Sequence, residues 1–168
     1  MKILKITLFS IGFFLFFLFS IGIIRFFSEK QLDDVTPGIP CSEDLMKKVD
    51  AYYVIPNFNN FNISENKSWC NYILSLNKSL RLHGNIHTFN EFAEDRDEEY
   101  AKEAMEIFKK CFNQGATRFK APQLNITKKN KAIVKGLMDY DGFFNQLFHK
   151  VYHCNDSGVP YNKFNNFF

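Results

Sequence analysis

The sequence predicts an α/β domain built on a parallel sheet or barrel and preceded by one transmembrane helix. Three observations predict it. An uncharged run of 19 residues, Ile6 to Ile24, lies near the amino terminus. After it, short β-branched and aromatic runs alternate with amphipathic stretches, the pattern of strand-helix units. The composition, 46% hydrophobic and 23% charged over 168 residues, is that of about one packed domain. A disordered chain and a multidomain enzyme are thereby excluded. The formal charge of +3 comes from Lys2, Lys5 and Arg25, since basic and acidic residues balance from Phe26 onward. No basic face for nucleic acid is implied.

Taken in order, Ile6–Ile24 is long enough as a helix to cross a hydrocarbon core. Its length, and the Arg25-Phe-Phe-Ser that follows it in place of small residues, predict an uncleaved signal anchor over residues 1–30. The alternative is a secreted chain freed by signal-peptide cleavage. Lys2 and Lys5 flank one side, whereas Arg25 and Lys30 are diluted by Glu29, Asp33 and Asp34. The positive-inside bias then keeps the amino terminus in the cytosol and places residues 31–168 outside. Cys41, Cys70, Cys111 and Cys154 form an even set, and sequons begin at Asn62, Asn66, Asn77, Asn125 and Asn155, in keeping with that location. Buried free thiols are the other reading of the cysteines. If they pair, three connectivities are open.

Ala51-Tyr-Tyr-Val-Ile-Pro56, Ser79–His83 and Thr117–Ala121 read as strands, the first and third stopped by proline. Asp97–Phe112 reads as a helix: Ala101, Ala104, Phe108 and Cys111 recur on one face, acids open it, lysines close it and Gly115 follows. Ser42–Val49, Ser64–Leu76 and Thr127–Met138 are further helices, each opened by a capping residue.

Functional groups of α/β folds gather where strands end. Three such places carry loaded chemistry. Asp33-Asp34 puts adjacent carboxylates in extended backbone, one free to bind a metal while the other accepts a proton. His83-Gly-Asn-Ile-His87 sets two imidazoles four residues apart after a glycine that permits a sharp turn. One aspartate and two histidines form a facial set with open positions, as a hydrolytic metal site needs. Arg118-Phe-Lys-Ala-Pro122 brings a cation and a rigid loop.

Over about Leu32 to Gly142 these residues resemble the polysaccharide deacetylases, or NodB-like carbohydrate esterases, and in particular their branch of uncharacterised predicted deacetylases. The resemblance implies a (β/α) barrel with Asp33 as catalytic base and Asp34, His83 and His87 as ligands of a divalent metal, zinc by default. It also implies that Arg118 and Pro122 shape the substrate-binding wall, and that Glu91-Phe92 is the acidic-aromatic pair of this branch. The implied reaction is hydrolysis of an N-acetyl group on a glycan by metal-bound water, with Asp33 taking the proton. The family continues into a strand region with Asp and Trp and a Leu-x-His general acid, for which the sequence up to Phe168 offers no clear equivalent. Residues 31–168 are therefore expected to form a partial or irregular barrel lacking the family's C-terminal part. His149 and His153 form a second HxxxH, but the residues around His153 do not match the acid motif, and both are expected to be structural. The alternative function is a membrane-anchored, catalytically impaired remnant that binds a glycan or a protein.

Overall fold

The computed structural model describes residues 2–156 and 161–166. Ser157, which completes the sequon at Asn155, lies outside them. The apolar run lies within α1 (Lys2–Phe27), whose Phe9–Phe27 segment is long and apolar enough to cross a membrane.

Six parallel strands follow, among the described residues, in the order β7-β6-β5-β2-β1-β8. They are β1 (Lys30–Val35), β2 (Ala51–Val54), β5 (Ser79–His83), β6 (Arg118–Lys120), β7 (Asp139–Tyr140) and β8 (Lys150–His153). Parallel neighbours need crossovers, and helices supply them. These are α2 (Glu43–Lys48) between β1 and β2, α3 (Lys67–Ser75) between β2 and β5, α4 (Glu98–Phe112) before β6, α5 (Lys128–Leu137) before β7 and α6 (Phe143–Phe148) before β8. A hairpin, β3 (Asn57–Phe58) with β4 (Phe61–Asn62), precedes α3; its turn residues Asn59 and Asn60 both take positive φ, as a type I′ turn requires. The short α7 (Asn162–Asn165) packs on β8.

Local chemistry explains the helix starts. Ser42, Asn66, Asp97 and Thr127 each accept a hydrogen bond from a backbone amide of the turn they open. Helix α4 ends at Phe112, three residues before Gly115, because Asn113 itself takes the left-handed conformation.

The sheet has two unlike faces. Leu32, Tyr52, Val54, Leu82 and Phe119 point into the helix layer and pack with Ile73, Phe108 and Val134. In-register partners share a face, so Gln31, Asp33, Tyr53, Arg81, His83, Lys120 and His153 line the other, concave side. That concave face is polar yet buried, and it is closed by hydrogen bonding: Tyr53 donates to Asp141 at 2.6 Å and Arg81 to Glu29 at 2.5 Å. Edge strands β7 and β8 do not pair with each other, and α6 lies between them in the chain. The result is an open barrel.

The cysteines pair as Cys41–Cys154 and Cys70–Cys111. The first joins the loop after β1 to the turn after β8, and the second pins α3 to α4. Removing the second pair as Cys70→Ser with Cys111→Ser frees a loop with a sequence separation of 41. Loop entropy puts the loss at about 4 kcal/mol. Denaturant unfolding of the full chain should show a midpoint lowered by a loss of that order, and an unchanged midpoint would contradict the bond.

Candidate active site

Strand β1 does not end as regular backbone. Its pairing with β2 shifts register between Leu32 and Val35, and Asp34 sits at φ 64°. In a regular strand, Asp33 and Asp34 would point to opposite faces. The bulge turns both into one cavity of about 460 Å³. Left-handed backbone is costly for most side chains, and aspartate is among those that tolerate it.

The opposite wall begins where β5 ends. His83 is followed by Gly84 at φ 67°, where an added Cβ would lie 2.5 Å from Glu91 Oε2 and 2.7 Å from Pro122 Cγ. Only glycine fits both the conformation and the space. The chain then loops through His87, itself at φ 59°. Glu91, buried, holds this loop: its Oε1 accepts from the Asn85 and Ile86 amides at 2.7 and 3.2 Å and its Oε2 from the His87 amide at 2.8 Å, while the Tyr100 hydroxyl donates to Oε1 at 2.9 Å.

Asp34, His83 and His87 converge. His83 Nε2 is 3.3 Å and His87 Nε2 2.9 Å from Asp34 Oδ1, and the donor atoms all lie within 4.8 Å of one another. His83 Nδ1 is 3.1 Å from the Lys120 carbonyl. As a donor there it leaves the Nε2 lone pair aimed at the cluster, the outer-shell arrangement common to metal-bound imidazoles. The donor set and its orientation therefore fit a divalent cation with open positions. Burial pushes the Asp34 carboxyl up, but hydrogen bonds and charge from His83 and His87 outweigh it and hold the group well below the usual carboxylate range. Burial likewise opposes a charged His83, and the Asp33 and Asp34 carboxylates overcome it, raising the imidazole above its ordinary value.

Asp33 lies beside this cluster. Lys120 Nζ donates to both of its oxygens, at 2.8 and 3.1 Å, and to Gln31 Oε1 at 3.0 Å. The ammonium also sits 3.8 Å from the Tyr53 ring centroid. Burial draws the Lys120 pKa down, and the Asp33 carboxylate opposes the fall. His153, in register with Asp33 across β1 and β8, places Nε2 3.8 Å from Asp33 Oδ2 and lines the same cavity. Asn162 brackets its backbone, accepting from the His153 amide at 2.8 Å and donating to its carbonyl at 2.7 Å.

The residues singled out in the sequence thus separate into two groups. Asp33, Asp34, His83 and His87 come together. Arg118 and Pro122 do not line the cavity; Lys120, Ala121, Gln123 and Leu124 do. Arg118 lies two residues before Lys120 on the same face of β6, about 6.5 Å further down the barrel. There it is bound to Asp141 through both of its forks. Burial pushes the Asp141 carboxyl up, but Arg118 and the Tyr53 hydroxyl hold it below its ordinary value. Pro122 packs on Gly84, so its part is to shape the loop that carries His87. His153 was expected to be structural and instead faces the site, whereas His149 is bound to the Asn145 carbonyl at 3.0 Å. The signal that could have found His153 is the run Lys150-Val-Tyr, a short apolar strand ending in a polar residue, as β5 ends in His83.

Glu91→Gln keeps the shape but weakens the charge-assisted bonds that hold the loop carrying His87, a candidate metal ligand. Groups that orient metal ligands typically contribute 10–100-fold to metal affinity, and a loss of about that size is expected for this variant in a zinc titration.

No family model and no curated protein matches the sequence. Comparison with solved structures does find the fold. The polysaccharide deacetylase Bc1974 from Bacillus cereus is 14% identical, with a TM-score of 0.50 over 74% of this chain and 58% of its own. The CE4-family pseudoenzyme BA3943 from Bacillus anthracis is 12% identical, with a TM-score of 0.48 over 67% of this chain and 41% of its own. The chain thus spans about half the length of these structures. Its fold is that of a NodB-like polysaccharide deacetylase, in the form of a partial barrel.

Proposed function

We propose that this chain, folded as a NodB-like polysaccharide deacetylase, is a metal-dependent hydrolase that removes N-acetyl groups from a carbohydrate outside the membrane that anchors it. The observation that carries the reading is the convergence of Asp34, His83 and His87 beside Asp33 in one cavity. Asp34, His83 and His87 would hold a divalent cation, zinc by the chemistry of the donors, and it would supply polarisation of the acyl carbonyl and a more acidic water. Asp33 takes the proton of the attacking water. Its Oδ2 is the oxygen held less closely by Lys120 and the one facing His153. His153 Nε2 gives a proton to the nitrogen as the C–N bond breaks, so that acetate and a free amine leave. Lys120 and Gln31 set the orientation of Asp33 from below.

A second reading, a glycan-binding domain with impaired turnover, is favoured by one observation. The Lys120 ammonium engages both oxygens of the proposed base. Acetate release from an N-acetylated oligosaccharide by the full chain, measured with and without a chelator, separates the two. Release that stops on chelation and returns with zinc supports the hydrolase; bound zinc without release supports the second reading. A folded chain with neither zinc nor release would overturn both.

A further inference from the structure

We propose that the barrel sits directly on the bilayer entered by α1, through an aromatic collar made of Phe26 and Phe27 of α1, Phe144 and Phe148 of α6, and Phe164 of α7. The proposal rests on the reading of α1 as a membrane anchor. Its Phe9–Phe27 segment is not buried against the barrel, and among the described residues Arg25 in the last turn is the buried one, so α1 projects from the barrel and is held at that turn. The docking residue is Arg25, nearly buried, whose Nη2 donates to Asn165 Oδ1 at 2.6 Å and whose Nη1 donates to the Leu147 and Gln146 carbonyls at 3.0 and 3.2 Å. One guanidinium thereby ties the end of the apolar helix to α6 and α7 together.

Four of these five phenylalanines are exposed. Phe26 is 70% exposed, Phe27 81%, Phe144 70% and Phe164 50%. Phe144 stacks on the half-buried Phe148 one turn along α6, and Lys150 Nζ lies 5.8 Å from the Phe26 ring. An apolar surface of this kind, beside a helix of membrane-spanning length, is of the type that buries phenylalanine at the boundary between headgroups and acyl chains. The charges beside it suit anionic headgroups: Arg25, Lys30 and Lys48 all act electrostatically on Lys150, whose pKa is lowered by burial first and then by these cations. Of the nearby acids, Glu29 is turned to Arg81, and Asp50 accepts the Lys30 amide at 2.8 Å. Gln146, whose carbonyl Arg25 holds, lines the catalytic cavity, so the same contact sets the position of the site relative to the bilayer.

The test uses the full chain carrying Trp69→Phe and one new tryptophan, reconstituted in phosphatidylcholine and phosphatidylglycerol vesicles with brominated acyl chains. Phe144→Trp should be quenched several-fold, as Phe17→Trp is, while Phe61→Trp on the distant hairpin should not. If Phe17→Trp is quenched and Phe144→Trp behaves like Phe61→Trp, the anchor reading stands and the collar is overturned. If Phe17→Trp is itself unquenched, the anchor reading fails and the collar fails with it.

Discussion

Asp34→Asn should lower the zinc affinity of the full chain by more than about 100-fold, beyond the range of groups that merely orient ligands. Asparagine is the informative replacement. It preserves the side-chain shape and tolerates the left-handed backbone at φ 64°, so the loss reports the carboxylate itself. Alanine would add backbone strain to the loss of a ligand. His87→Asn follows the same logic at φ 59°, and His83→Asn removes the donor held by the Lys120 carbonyl. Zinc content after gel filtration, followed by competition with a chelator of known affinity, measures all three. Each variant should lose the ion, and retention of one ion per chain in all three would remove the metal site from consideration.

Asp33→Asn should leave zinc in place and reduce acetate release by about 10²–10⁴-fold, the usual contribution of a positioned acid or base. The two aspartates are adjacent in sequence, so the contrast between them is the sharpest test of their assigned roles. His153→Gln should fall in the same range without loss of metal, because His153 faces Asp33 and is not one of the clustered donors. Lys120→Met provides the companion measurement. It leaves the Asp33 carboxylate buried without its cation, a change that costs about 3–5 kcal/mol of stability in comparable pairs. If release per folded molecule rises in that variant, Lys120 restrains the base; if it falls, Lys120 positions it. Unchanged release in Asp33→Asn would exclude Asp33 as the base.

Elements that carry their own signal were legible in the sequence. Helix α4 announces itself through an apolar stripe, acids at its start and lysines at its end, and it forms within one residue of the expected span. Strand β5 matches its expected span from Ser79 to His83. The Thr127 and Ser42 caps start α5 and α2 as expected. The apolar run becomes a helix that extends a few residues past it on either side. Strands β7 and β8 were not read from the sequence: Asp139-Tyr140 is two residues long, and Lys150–His153 lacks the proline stop that marked β2 and β6. The Cys41–Cys154 and Cys70–Cys111 pairing was equally out of reach, since spacing alone does not select among connectivities.

By itself, the sequence determined the α/β class and the apolar helix, and it named Asp33, Asp34, His83 and His87 as a candidate set that the structure brings to one cavity. Each rests on local pattern, which records the face of an element turned to the core or the side-chain types a reaction needs. The tertiary structure alone decided which cation reaches Asp33, since Arg118 and Lys120 share one face of β6 and only register and height select Lys120. It alone brought His153 to the site, because β8 pairs in register beside β1 from more than 100 residues away. The bulge at Asp34, likewise, is what turns two neighbouring carboxylates into one cavity. Such a site is assembled from four strand ends, and its geometry depends on pairing between distant segments that no local stretch of chain encodes.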